Sequence, residues 1–200
     1  MSPTINVSGH ATIGALNLQG SGFPPAEATV NIAASSHLTE TLHGVNKSTI
    51  HVNGGVGSTL NNVGASTVSI ATIAANVVGS GSWTDVFGRL EFVDSVGGGQ
   101  TVNLGAAELV LDKPSQFHGQ INLQAGWGGM GVDLNGIHGD AFSYDPKGLL
   151  TITAGGAKVD QIRIAEGAGA AFSVSDSGSG IWLNPTAGPQ VLSGSIQHVA

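Results

Sequence analysis

Three-residue blocks of apolar, polar, apolar residues recur along almost the whole chain. In five of them the middle residue is asparagine: Ile5-Asn6-Val7, Leu16-Asn17-Leu18, Val30-Asn31-Ile32, Val102-Asn103-Leu104 and Ile121-Asn122-Leu123. Each block reads as a short strand, because period-two alternation puts both apolar side chains on one face and the polar one on the other. Elsewhere the middle position holds His51, Ser69, Glu91, Asp133, Thr151, Arg163 or Ser173, so the outward side accepts any polar type.

The blocks recur at a solenoid period. Val30, Ile50, Val68 and Leu90 stand as successive first positions, with steps of 20, 18 and 22 residues between their numbers. Runs such as Asn53-Gly54-Gly55-Val56-Gly57-Ser58 and Val78-Gly79-Ser80-Gly81-Ser82 supply the turns, where glycine adopts positive φ at low cost. From Leu90 the spacing becomes irregular, with triplets at Val102, Leu109, Ile121 and Val132, which suggests two strands per rung. The expected fold is all-β, a parallel β-solenoid with rungs of about 20 residues. Roughly eight to ten rungs would make a rod about 40–50 Å long. A β-sandwich is the alternative, disfavoured because no Asn-Gly turn joins matched strands. Residues 1–200 form one domain in this reading, with regular charge-poor rungs over 1–104 and a continuous second part over 105–200. The columns Val30, Ile32, Ile50, Val52, Val68, Ile70, Leu90 and Phe92 are expected inside, and Asn31, His51, Ser69 and Glu91 outside.

Composition supports strands over helices and narrows the partners. Glycine contributes 32 of 200 residues, and charged residues only 10% against a usual share of about 25%. The formal net charge is −7 with six basic residues, so no cationic stripe exists to neutralise phosphates, and nucleic acid is not an expected partner. Glu27, Glu40 and Lys47 are the only charges before Asp85. There is no cysteine, which excludes a disulfide framework. No stretch approaches the ~20 apolar residues of a membrane-spanning helix. Met1-Ser2-Pro3-Thr4 lacks the basic and apolar regions of a secretory signal, so export would use another route or the chain is a mature or trimmed form.

Motifs for chemistry are sparse. Gly54 to Asn62 looks like one copy of a calcium-binding nonapeptide, but Thr59 stands where the ligating Asp belongs and no second copy completes a site. Asp133, Asp140, Asp145 and Asp176 form no dense Asp-x-Asp run and read as turn residues. His10, His37, His43, His51, His118, His138 and His198 show neither helical i,i+4 pairing nor a His-x-His strand pair. No metal and no cofactor are expected. No nucleophile elbow or phosphate loop is present, so the chain reads as a non-enzyme. Arg89, Lys113, Lys158 and Arg163 with Glu91, Asp112 and Asp160 could form a catalytic face on a β-helix, but they read as a wet surface instead. Among Trp83, Trp127, Trp182 and Tyr144, the middle position of Ile181-Trp182-Leu183 points Trp182 outward, making it the candidate ligand-binding residue for a sugar ring.

The stretch Glu108-Leu109-Val110-Leu111-Asp112-Lys113-Pro114-Ser115-Gln116-Phe117-His118-Gly119-Gln120-Ile121 leads to Val132-Asp133-Leu134-Asn135-Gly136-Ile137. Then follow Phe142 to Asp145, Gly148 to Ile152, Ile162-Arg163-Ile164 and Phe172 to Gly180. This order of blocks, best over about residues 108–185, resembles a module of the β-solenoid adhesins and the autotransporter-like or haemagglutinin-like surface proteins exported by alphaproteobacteria. The resemblance implies an extracellular or cell-surface structural role.

A solenoid closes its sides but not its terminal rungs, and bare strand edges there invite pairing. Both termini carry strand-like, uncharged sequence, which makes Ile5, Val7, Val191 and Ile196 the candidate self-assembly edges. The expected function is a secreted or surface structural protein that associates with copies of itself, head to tail, into a fibre or biofilm matrix and mediates adhesion. A glycan-binding module or a polysaccharide-acting β-helix enzyme is the alternative, with matrix or cell-surface polysaccharide as the further partner.

Overall fold

The computed structural model describes residues 2–19, 26–45, 48–124, 130–166, 171–186 and 190–198. It is an all-β parallel solenoid of about five turns with rungs of about 21 residues. Each coil has three faces. The first face stacks Thr4–Val7, Glu27–Ile32, Thr49–Gly54, the second halves of Ala65–Ala74, Ser82–Phe92 and Thr101–Leu111, and then Gly131–Asn135. The second stacks His10–Thr12, His37–Thr39, Thr59–Asn61 and Asn76–Val78, and narrows to single bridges at Val96 and Phe117. The third stacks Leu16–Gln19, Leu42–Val45, the first halves of the three long strands, and Gln120–Leu123. We number the coils from the N-terminus, so that 4–19 is the first and 27–45 the second.

Apolar columns fill the interior. Val30, Val52, Ile73, Phe92, Leu111 and Leu134 align rung on rung on the first face, and none is more than 2% exposed. Burying each such side chain is worth about 1.5–3 kcal/mol. The true steps along the start of this column are 22, 21 and 19 residues. Val68-Ser69-Ile70 therefore does not belong to it as the triplet spacing implied. The strand Ala65–Ala74 turns the corner from the third face to the first without a break, and Val68 and Ser69 are buried in succession there. That resets the alternation, so Ser69 points in and Ile70 is 39% exposed. Phase slips of this kind are invisible to period counting, because the chain stays extended through the corner.

The parallel stack does not continue to the C-terminus, which corrects the expected eight to ten rungs. Beyond Gly131–Asn135 the first face grows by antiparallel strands, Gly180–Thr186 and then Ala171–Asp176, with Gln197–His198 at its edge. The third face grows through Ala157–Glu166, parallel to Gln120–Leu123. It then continues through antiparallel Leu149–Ala154, Ala141–Tyr144 and Ser193–Ser195. The second face ends at Phe117, so the three-sided stack closes into two facing sheets. Tyr144 on one and Phe172 on the other meet edge to face at 5.2 Å. The sandwich alternative thus describes the last third, continuous with the solenoid through one apolar core that runs from Val7 to Ile196.

Candidate functional site

The two ends of the molecule differ. In the first coil, Thr4–Val7, His10–Thr12 and Leu16–Gln19 each have a partner strand on one side only among the described residues. Thr29, Ala33 and His37 of the second coil donate to the carbonyls of Pro3, Val7 and Gly9, while the Thr39 carbonyl accepts from Ile13 N–H. Because backbone groups alternate sides along a strand, those of Thr4, Asn6, His10 and Thr12 point to the open side. Among the described residues neither Lys nor a bulge guards this edge.

Ile5 and Val7 face inward at this open end, Val7 only 5% exposed and Ile5 half-buried against the core. They support the edge and do not themselves form it. At the other end Ile196 is 4% exposed and its N–H donates to the Asp140 carbonyl at 2.9 Å. Ile196 is therefore part of the core, which corrects its reading as an uncapped strand, while Val191 is exposed outside any strand. The outermost C-terminal strands, Ser193–Ser195 and Gln197–His198, are three and two residues long.

The outer side of the first face carries the second cluster of functional groups. Near the open end, Asn31 Nδ2 donates to Asn6 Oδ1 at 2.8 Å and Asn53 Nδ2 to Asn31 Oδ1 at 3.0 Å, an amide ladder beside a shallow groove of about 400 Å³. Further along, Arg89 lies 3.3 Å from Glu91 and 3.4 Å from Glu108. Arg89 is half-exposed, so each contact is worth at most about 1 kcal/mol. Burial pushes the Asp133 carboxyl above its usual range; Glu108 adds to this, Arg89 opposes it, and Asp112 adds again. Asp133 Oδ1 has no hydrogen-bond partner among the described residues.

Trp182 is in register with Asp133 and only partly buried, between fully buried Ile181 and Leu183. Its indole lies against Gly131, whose φ is +123° and where a Cβ would meet the ring at 2.9 Å. The absence of a side chain at 131 is what lets the ring settle on the sheet. An indole face, a guanidinium and carboxylates on an open sheet are groups that contact sugar rings and their hydroxyls.

The remaining candidates are accounted for by packing. Trp83 is fully buried and donates from Nε1 to Gln100 Oε1 at 2.9 Å, and Tyr144 is buried with its hydroxyl on the Ile164 carbonyl at 2.9 Å. Trp127 lies outside the described residues. The stretch Gly54 to Asn62 makes the corner between the first two faces and the second-face strand Thr59–Asn61, with Gly57 at φ +71° and Leu60 in the core. Asp140, Asp145 and Asp176 accept backbone N–H groups within their own turns or the neighbouring one. Among the described residues no three His, Asp or Glu side chains come together as a metal site.

His51 lies 3.5 Å from Glu27, His138 is 3.0 Å from Asp176, and the His10 and His37 rings are 4.6 Å apart. Lys113 pairs with Asp94 at 2.7 Å, away from Arg89, and Lys158 and Arg163 lie on Ala157–Glu166 with Asp160. Of the charged set singled out by sequence, Arg89, Glu91 and Asp112 gather on the first face with Glu108 and Asp133, while Lys158 acts on Asp160 elsewhere.

One group that matters escaped the sequence reading: Glu40, 1% exposed, sits inside the stack at the corner of the second and third faces. Its signal was being one of three charges before Asp85. No family model matches this chain, and neither a curated protein nor a solved structure does.

Proposed function

We propose that this chain is a structural β-solenoid of the extracellular space or cell surface that associates with a second copy of itself through its first coil. What supports the reading is the contrast between the ends: three parallel strands with free edges at one, and a folded sandwich with short outer strands at the other. Head-to-tail growth needs the two ends to match, and these do not. Two first coils related by a two-fold axis would pair antiparallel, which closes the assembly as a dimer. Adhesion to a polysaccharide through the outer side of the first face is the second reading, favoured by the partly exposed Trp182 in register with Asp133.

The test is sedimentation of the wild type and of the double variant Thr4→Pro/Thr12→Pro. Both N–H groups point to the open side, so proline removes free donors without breaking a ladder bond inside the chain. The wild type should sediment as a concentration-dependent dimer and the variant as a folded monomer. A mass that grows without limit would restore the head-to-tail fibre. A wild type that stays monomeric would overturn self-association and leave the glycan reading, read out by saccharide-dependent tryptophan fluorescence.

A further inference from the structure

We infer that Glu40 makes the closure of the first coil depend on pH, so that the coil lifts from the stack as its carboxyl loses a proton. The inference rests on the reading of the first coil as the associating face.

The geometry begins with what surrounds the side chain. The ladder continues from Thr12 on Thr39 on Asn61, so Glu40 lies between Ile13 of the first coil and Asn62 of the third. Ile13 N–H donates to the Thr39 carbonyl and Glu40 N–H to the Asn61 carbonyl, which fixes both neighbours. Both Glu40 oxygens are buried and have no hydrogen-bond partner among the described residues.

The polar groups above are already committed. Asn62 Nδ2 donates to Ser82 O at 3.3 Å and to Gln100 Oε1 at 3.1 Å, while its Oδ1 accepts from Ser66 Oγ at 3.1 Å. Ser66 Oγ in turn accepts from Leu42 N–H. On the third-coil side Asn62 and Ser66 thus bond to each other and to their neighbours and not to Glu40.

The first coil is therefore the way out to water. Its inward residues here, Ala11, Ile13 and Leu16, are only partly buried, and nothing packs beyond them among the described residues. An ionised carboxylate in an apolar corner is costly, and lifting this one thin layer hydrates it. The burial is strong enough to raise the carboxyl from 4.5 to about 7.

Among the described residues no charged group offsets it. Asp85 also points inward, but from the far end of the third face and two coils away. His37 and His43 of its own coil and His10 of the first alternate with the buried Leu38, Leu42 and half-buried Ala11, so they face outward.

The direction follows from linkage. The open coil exposes Glu40 and lets it ionise at its ordinary value, so opening releases a proton. Opening becomes easier as pH rises from about 4.5 through about 7 and levels off above. A dimer covers the first coil, so association and the closed corner favour each other, and both weaken with rising pH.

Hydrogen exchange on the dilute monomer tests the switch. Protection factors are read at Thr29, Ala33, His37 and Ile13, whose N–H groups cross between the first two coils, against Val77 and Val96 in the middle of the stack. In the wild type the first set should lose about tenfold or more between pH 5.5 and pH 8 relative to the second. Glu40→Gln and Glu40→Leu should both remove that loss. Flat wild-type protection overturns the inference by itself, as does a folded variant that keeps the pH dependence. Sedimentation at the two pH values separates this from the function proposed above. Glu40-dependent exchange without any dimer sinks self-association and leaves the switch. A dimer of constant affinity with flat exchange does the reverse.

Discussion

Gln100 is the residue on which the interior of the middle coils converges. It is 1% exposed, accepts from Trp83 and Asn62, and donates to the carbonyls of Asn62 and Val78 at 2.9 and 2.8 Å. Every polar atom of its amide is used, so the network holds three coils in one register at no residual desolvation cost. Gln100→Ala would orphan the indole N–H, take one of two hydrogen bonds from Asn62 Nδ2 and from each of the Asn62 and Val78 carbonyls, and leave a cavity. We expect a loss of about 2–4 kcal/mol in urea unfolding, against the about 1 kcal/mol of a single exposed hydrogen bond. A loss under about 1 kcal/mol would mean that water fills the gap and that the network does not set the register. The same arithmetic applied to Glu40 comes out the other way, because its neighbours are satisfied without it. That contrast marks one buried polar group as structural and the other as strained.

At the level of elements, the block spacing tells how far the stack is modular. Thr49 and Ile70 occupy the same place on successive coils, so excising residues 49–69 should join Ser48 to Ile70 in register. We expect that shortened chain to keep its strand content by circular dichroism with a lowered melting temperature. Excising 49–59 instead would set a face against a corner and should leave the chain unfolded. An equal outcome for both excisions would contradict the coil assignment.

The first-face columns were legible in the sequence because alternation and spacing are local properties. The triplet at Val68 misled, since its corner keeps the chain extended while shifting its phase. The C-terminal sandwich also had a local signal, Gly155-Gly156, with φ of +58° and +82° between the paired Ala154 and Ala157. That is a two-residue hairpin turn of the kind sought only as Asn-Gly. Trp182 could be placed outward from its triplet. Its neighbours could not, because Glu108 and Asp133 lie 25 residues apart and meet only through the stacking of coils. The open edge was legible at the N-terminus for want of Lys or a bulge, whereas Val191 and Ile196 were misread because a returning strand looks like a terminal one.

For the whole molecule, the contrast between one open and one closed end is what the proposed pairing of two first coils rests on, because only the open end offers an edge that can match its own copy. The covered end shields its edges with strands too short to template pairing, and the uncovered end offers three at once. Low charge in the first coils suits this: Glu27 is exposed beside His51, Glu40 is buried, and little else there would repel a second copy. The absence of cysteine permits a direct measurement, since a single introduced thiol can carry a spin label without competition. The label is placed at exposed Ser8 in the first coil, or at exposed Ser193 in the outermost strand of the other end. Pulsed dipolar spectroscopy on each singly labelled protein should give a short distance for Ser8→Cys and only a long one for Ser193→Cys. A short distance that arises solely on mixing the two labelled proteins would show head-to-tail contact, and no coupling at Ser8→Cys at any concentration would refute pairing through the first coil.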